Sequence, residues 1–196
     1  MFSEALSFLV RNIASFFILM VLLRFYLQLA RAPFGHPLAQ FTVKLTNFAV
    51  LPLRRMVGSL GGYDTATVLL AWFCALLMHL LLLLLLPLPI NWLAPDTAFG
   101  LFMLAVLELL RLSLYLVFGA VLVQAILSWV NPYNPLAPIL DALSRPFLKP
   151  IRRLLPPVGG FDLSPLVLLL LLQMLLMFVL APIEQRLLHY ILLASS

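Results

Sequence analysis

The sequence predicts an all-α membrane protein whose four transmembrane helices form two tandem two-span repeats. Three observations lead there. Hydrophobic residues make up 64% of the 196-residue chain and charged residues only 10%, far from the balance of a water-soluble domain. Four apolar stretches are long enough, at ~1.5 Å per residue, to cross ~30 Å of hydrocarbon. Finally, PLRRMVGSLGGYD, Pro52 to Asp64, returns as PIRRLLPPVGGFD, Pro150 to Asp162. Without a gap, the same offset of 98 residues matches Pro37, Leu38, Ala39 and Leu45 to Pro135, Leu136, Ala137 and Leu143, ten identities in 28 positions. Prolines, paired arginines and paired glycines are among them, so shared leucine richness does not account for the match. The chain is an internal duplication, with repeat 1 at residues 1–92 and repeat 2 at 93–196.

The first span centres on Ile13 to Leu29 and covers about 10–31. A cleaved leader is the rival reading, because Arg11 precedes the apolar core and Ala30-Arg31-Ala32 loosely fits a cleavage site. The matching span near Leu112 to Val130 is internal and has to stay in the membrane, which argues against cleavage. From Arg31 to Asp64 hydropathy falls, and Pro33, Pro37 and Pro52 are expected to interrupt any long helix. At about 100° per residue, Leu38, Phe41, Leu45 and Phe48 share a face away from Gln40, Lys44 and Asn47. That pattern predicts a short amphipathic helix in the membrane interface. Repeat 2 has its counterpart: Leu136, Ile139, Leu140 and Leu143 on one face, Asp141, Ser144 and Arg145 on the other, with Pro146 expected to end it.

The second span is predicted at 65–86, with Gly61-Gly62 as a turn, Asp64 as N-cap, and Pro87 and Pro89 as its close. After an outer turn from Leu93 to Asp96, Asp96 or Thr97 is expected to cap a helix free of proline as far as Val130. Such a helix is about 51 Å long, so its first turns are expected to project or lie at the surface, with about 107–130 crossing. The fourth span is predicted at 163–181, with Asp162 and Pro165 at its start and Pro182 after it, then a short amphipathic tail through Tyr190.

Formal charge is +5, but the distribution of Lys and Arg says more than the sum. Arg31, Lys44, Arg54 and Arg55 lie between spans one and two; Arg145, Lys149, Arg152 and Arg153 lie between three and four. The opposite side has Arg11 and Arg186. This asymmetry places both basic loops in the cytoplasm and both termini outside, in the periplasm of a bacterial inner membrane. Each repeat then enters in the same direction, which suggests a pseudo-two-fold axis along the membrane normal.

Charged groups inside lipid are costly and mark functional candidates. Arg24 lies near the cytoplasmic end of its span and is expected to snorkel to the headgroups. Glu108 and Arg111, three residues apart, are expected to form a local ion pair, while His79, Gln124 and Gln173 are expected to hydrogen-bond between helices. His36, His79 and His189 show no metal-ligand spacing, and the lone Cys74 reads as a packing residue. There is no phosphate-binding loop, nucleophile elbow or aromatic-basic nucleic-acid motif. The chain is read as a non-enzyme with no cofactor and no nucleic-acid partner.

A hydrophobic span, a P-x-R-R-x5-G-G-[YF]-D loop and a further span together resemble the YggT (YlmG-like) family of bacterial and plastid membrane proteins. Repeat 2 carries the fuller motif: Ser128, Trp129, Asn134, Pro135, Pro146, Pro150, Arg152, Arg153, Gly159, Gly160, Asp162 and Ser164. Repeat 1 departs from it with Arg31, His36, Phe48 and Ala66 where repeat 2 has Trp129, Asn134, Pro146 and Ser164, so repeat 2 is the better candidate for any binding role. The resemblance implies a part in osmotic-shock tolerance and ion uptake or homeostasis. Its alternative implication is a scaffold or assembly factor, for cell division, nucleoid distribution or cytochrome maturation, that recruits partners through basic cytoplasmic loops. The repeated loop itself has two readings. It either fixes topology, with Pro52, Gly61, Gly62 and Asp64 shaping the turn, or brings Arg54, Arg55, Arg152 and Arg153, with Arg145 and Lys149, together as a site for lipid phosphates or a partner's acidic face. The expected partners are membrane lipids, further copies of the chain or another membrane protein. A reporter active only in the cytoplasm, fused after Ser196, is expected to remain silent; activity there would reverse the topology.

Overall fold

Proline and aspartate set where the helices begin. The computed structural model describes residues 2–33, 35–58, 63–85, 90–92, 94–131, 134–155 and 162–193. The helices are α1 (Phe2–Leu29), α2 (Pro37–Met56), α3 (Thr65–Leu85), α4 (Pro95–Val130), α5 (Ala137–Leu154), α6 (Ser164–Met174) and α7 (Ala181–Leu193), with a π-helical turn at Leu175–Leu180 joining the last two. Proline occupies the first turn of α2, α4, α5 and α6, where its missing N–H has no intrahelical acceptor to lose. Four helices are long and apolar enough to span a membrane: Phe2–Leu29, Thr65–Leu85, Pro95–Ser128 and the continuous Ser164–Leu193. The expected turns at Gly61-Gly62 and Gly159-Gly160, the closing prolines Pro87 and Pro89, and Leu86 and Leu93 lie outside the described residues.

α1 ends in a Schellman turn. Arg31 is the left-handed residue (φ 50°), its N–H donates to the Gln28 carbonyl at 3.1 Å, and the Ala32 N–H donates to the Leu27 carbonyl at 2.9 Å. Buried Leu27 and Ala32 supply the hydrophobic contact that accompanies this motif.

Several expectations need correction. Pro146 does not end the second amphipathic helix: α5 runs through both Pro146 and Pro150, and α2 runs through Pro52. All three prolines are exposed, so the carbonyls they deprive of a donor can be hydrated. The arginine pairs therefore sit in the last turns of α2 and α5, where the helix dipole favours a cation, rather than in a loop. The buried face of α2 is Ala39, Thr42, Thr46 and Val50, while Phe41 and Phe48 point outward. Small residues let α2 lie close against α1, and the two bulky rings meet the exterior, Phe48 also touching Phe17 at a centroid distance of 5.6 Å.

α4 is the central helix, in contact with every other helix except α2. Its cap is Ala94 rather than Asp96 or Thr97: the Thr97 hydroxyl donates to the Asn91 carbonyl at 2.9 Å and Asp96 accepts from the Tyr190 hydroxyl at 2.6 Å. Nor do its first turns project alone, because α7 packs on them through Ile191, Leu101 and Leu104. The fourth span likewise does not stop at Pro182. The Ala181 N–H bonds the carbonyl of Leu176, five residues back, and this widened turn admits the proline without breaking the helix.

The repeats follow one another in tandem, yet their contacts are not reciprocal. α3 packs on α4 and α5 touches α1, whereas among the described residues α6 makes no contact with α1 and α2 none with α4. A closed two-fold axis would require both members of each pair, so the expected pseudo-symmetry does not govern the seam.

The tightest approach lies at the α4–α7 contact. A Cβ added to Gly100 would fall 2.4 Å from Ile191 Cγ1 and 2.8 Å from its Cδ1, and Ile191 is fully buried. Gly100→Leu should therefore destabilise the protein by about 1–3 kcal/mol, the usual cost of overpacking. Gly119→Leu, at a helical glycine with nothing within 4 Å of the added carbon, should leave thermal unfolding in detergent almost unchanged.

Candidate binding site

Each repeat joins its short helix to its second span with one ion pair. In repeat 1 the Arg54 guanidinium grips Asp64 with two bonds, Nε to Oδ1 at 3.1 Å and Nη2 to Oδ2. Asp64 also caps α3, as expected, by accepting from the Thr67 N–H at 3.4 Å and from the Thr67 hydroxyl. With its amide oriented to suit both neighbours, Gln28 of α1 donates to Asp64 at 3.1 Å and accepts from Arg54 at 2.9 Å. In repeat 2 Arg152 Nε donates to Asp162 Oδ2 at 2.8 Å, and Asp162 accepts from the Ser164 N–H at 3.0 Å.

The fuller motif of repeat 2 does not give the tighter clamp. The Arg54 and Asp64 side chains are 38% and 9% exposed, against 45% and 38% for Arg152 and Asp162, and repeat 1 adds Gln28 and Thr67. The His36 departure in repeat 1 also proves to be an equivalent, and so does Thr46, which stands where repeat 2 has Ser144. His36 Nδ1 accepts from the Leu38 N–H at 3.1 Å, as Asn134 Oδ1 accepts from the Leu136 N–H at 2.8 Å. Where the Ser144 hydroxyl donates to Gln124 of α4, the corresponding Thr46 accepts from Arg24 of α1 at 2.9 Å. Helix start and helix contact have both survived the change of residue type.

Arg24 does not snorkel. It is 4% exposed, and its Nη1 donates to Thr46 and to Asn47 Oδ1, the latter at 2.8 Å. α2 brings these acceptors to the guanidinium, which removes the reason to reach for headgroups. His79 and Gln173 also differ from expectation: His79 Nδ1 donates to the Ala75 carbonyl of its own helix at 2.9 Å, and Gln173 is exposed. Gln124 does bond between helices, and Cys74 is half-buried against the core.

The remaining cations differ in how they are engaged. Arg145 pairs with Asp141 on the same helix, with side-chain exposures of 69% and 31%, and an exposed pair of this kind is worth little. Arg55, Arg153 and Lys149 are exposed. Pro52, Pro135 and Pro150 are exposed and Ser164 is buried at the first turn of α6; Gly61, Gly62, Gly159 and Gly160 are not among the described residues.

A second polar cluster lies further along the spans. Arg111 and Glu108 approach at 3.5 Å, but the closer partner of Arg111 is Glu184 of α7, bonded through both guanidinium nitrogens, one at 3.1 Å. The Ser15 hydroxyl points at Glu108 Oε1 from 3.5 Å. Glu184, Thr46 and Gln28 were not singled out from the sequence, and Asn47, placed there on the polar face of α2, is instead an acceptor for Arg24. The i, i+4 spacing of Arg24 and Gln28 on one helix face was the available signal for Gln28.

These elements define a multi-pass membrane protein built from two tandem repeats, each closed by an arginine–aspartate clamp. The family model described as CCB3/YggT matches residues 3–85 and again residues 103–183, and the chain belongs to that family. It is 40% identical over 171 residues to a protein of Vibrio alginolyticus encoded in the proC 3′ region, covering 87% of this chain and 90% of that one. It is 37% identical to the YggT protein of Escherichia coli K12 (86% of each chain) and 37% identical to a Pseudomonas aeruginosa protein (90% and 89%). No solved structure matches.

Burial pushes the Asp64 carboxyl up, but the Arg54 guanidinium and Thr67 more than offset this and hold it below the usual carboxylate value. A depressed folded-state pKa means that the stabilisation is fully present above the ordinary carboxylate range and is lost as pH falls through the folded value. Thermal unfolding measured from neutral to acid pH should show Asp64→Asn less stable than wild type at neutral pH, with the difference shrinking below the ordinary carboxylate range.

Proposed function

We propose that the chain serves ion homeostasis and osmotic-shock tolerance as a non-catalytic scaffold of the bacterial inner membrane, acting on ion pathways formed by partner proteins. Its termini face the periplasm and its basic helix ends face the cytoplasm. The observation that carries this reading is the division of labour within each arginine pair. Arg54 and Arg152 are engaged inside the fold by Asp64 and Asp162, while Arg55 and Arg153 are exposed and offer planar, bidentate donors to an acidic partner surface. Topology alone requires charge on that side and does not require one arginine of each pair to be tied down and its neighbour presented.

A second reading is favoured by the cluster of Ser15, Glu108, Arg111 and Glu184, which joins three helices inside the membrane-crossing segments. Intramembrane ionisable groups of this kind mark ion routes, and an assembly of several copies would supply the wettable path. One pair of measurements separates the readings. Arg55→Gln/Arg153→Gln should reach normal membrane levels yet lose survival after osmotic shock, and wild-type protein in liposomes should carry no ion flux. Flux from the purified protein, with survival of the double variant intact, would establish the second reading instead.

A further inference from the structure

The non-reciprocal seam between the repeats leaves a groove at the basic end of the bundle. Its volume is about 470 Å³, within the roughly 300–1,000 Å³ range of small-ligand pockets. One wall is the last turn of α1, with Tyr26, Leu29 and Ala30; the other is α5, with Leu143 and Phe147 among its apolar residues and Arg145 and Lys149 one turn apart. The position follows from the fold: α5 reaches across to touch α1 only along a short stretch, at the level where the first span leaves its apolar region.

We propose that this groove binds one anionic glycerophospholipid of the cytoplasmic leaflet. The phosphate sits between Arg145 and Lys149, and the upper part of an acyl chain follows Leu29, Leu143 and Phe147 towards the hydrocarbon. Three features select this occupant. The walls are apolar while the rim carries two cations, which is the charge and polarity pattern of a phospholipid with net negative charge. Among the described residues Asp141 is the carboxylate paired to the rim, on Arg145, through an exposed i, i+4 pair that a phosphate can compete with. Lys149 is exposed. The positions corresponding to Arg145 and Lys149 in repeat 1 are Asn47 and Leu51; Asn47 is bonded to Arg24 and α2 does not meet α4. The site is therefore single, one lipid per chain, despite the duplication.

The test is native mass spectrometry of the full chain released from detergent after incubation with phosphatidylglycerol or with phosphatidylcholine of the same acyl chains. Wild type should retain one phosphatidylglycerol with a preference on the order of ten-fold over phosphatidylcholine, as two cations near a surface provide. Arg145→Gln/Lys149→Gln, at exposed positions that leave the fold intact, should reduce phosphatidylglycerol retention to the phosphatidylcholine level. Ala142→Phe, which fills the groove without touching charge, should lower retention of both lipids. Inorganic phosphate should not displace the lipid. Equal retention of the two lipids by wild type, or unchanged retention in both variants, would overturn the proposal. Displacement by inorganic phosphate would assign the cations to a free anion and overturn it as well.

Discussion

Everything at the basic end of this protein depends on an arginine that reaches back from its own helix to the aspartate beginning the next. The short helix has a fixed direction, the following span has a fixed start, and one ion pair ties them. In repeat 1 the same aspartate caps α3 and accepts from Gln28 of α1, so three helices converge on a single carboxylate. The bonds to Asp64 are worth more as geometry than as energy, since the guanidinium is more than a third exposed and solvent screens it. What they specify is the angle at which α2 lies against the spans, and that angle decides which cations face outward.

The two polar clusters solve the same problem differently. Arg24 is buried against neutral acceptors, Thr46 and Asn47, whereas Arg111 is half-buried against carboxylates, Glu184 and Glu108. A half-buried ion pair adds little net stability, because desolvation consumes much of the attraction, but removal of one partner leaves the other charge uncompensated. Arg111 and Glu184 therefore act as a registration device between α4 and the last helix. Its location near the middle of α4, well away from the arginine–aspartate clamps at the helix ends, gives the bundle two separate ionic contacts.

Much of the fold was legible in the sequence, because four apolar stretches and a repeated motif are strong signals that tertiary context cannot reverse. Asp64 as a cap was legible for the same reason: an aspartate directly before a long proline-free apolar run is a strong helix-start signal. The failures share a cause. Proline was treated as a terminator, but Pro52, Pro146, Pro150 and Pro182 all lie within continuous helix; the first three are exposed to hydration and the last is absorbed by a wider turn. The apolar pattern of α2 points its bulky rings at the membrane interface, where Phe41 and Phe48 do face outward, but it does not reveal that the small residues Ala39, Thr42, Thr46 and Val50 make the helix contact. Arg24 and Glu184 are not placed by the sequence alone because their partners lie on other helices, 22 and 73 residues away, at positions that only packing brings near.

The π-helical turn at Leu175–Leu180 has one consequence beyond accommodating Pro182. A turn of this kind holds an additional residue with almost no gain in length, so everything after it is shifted in phase by about 100° relative to an uninterrupted α-helix. Projected on a regular wheel from Ser164, Glu184 would therefore fall on a different side of the helix from the one it occupies facing Arg111. The last helix behaves as two screws of the same hand joined with an offset, and the offset sets the azimuth of its only acidic residue. Loss of a single residue anywhere in that turn would leave the hydropathy of the span unaltered and yet rotate Glu184 out of reach of its arginine.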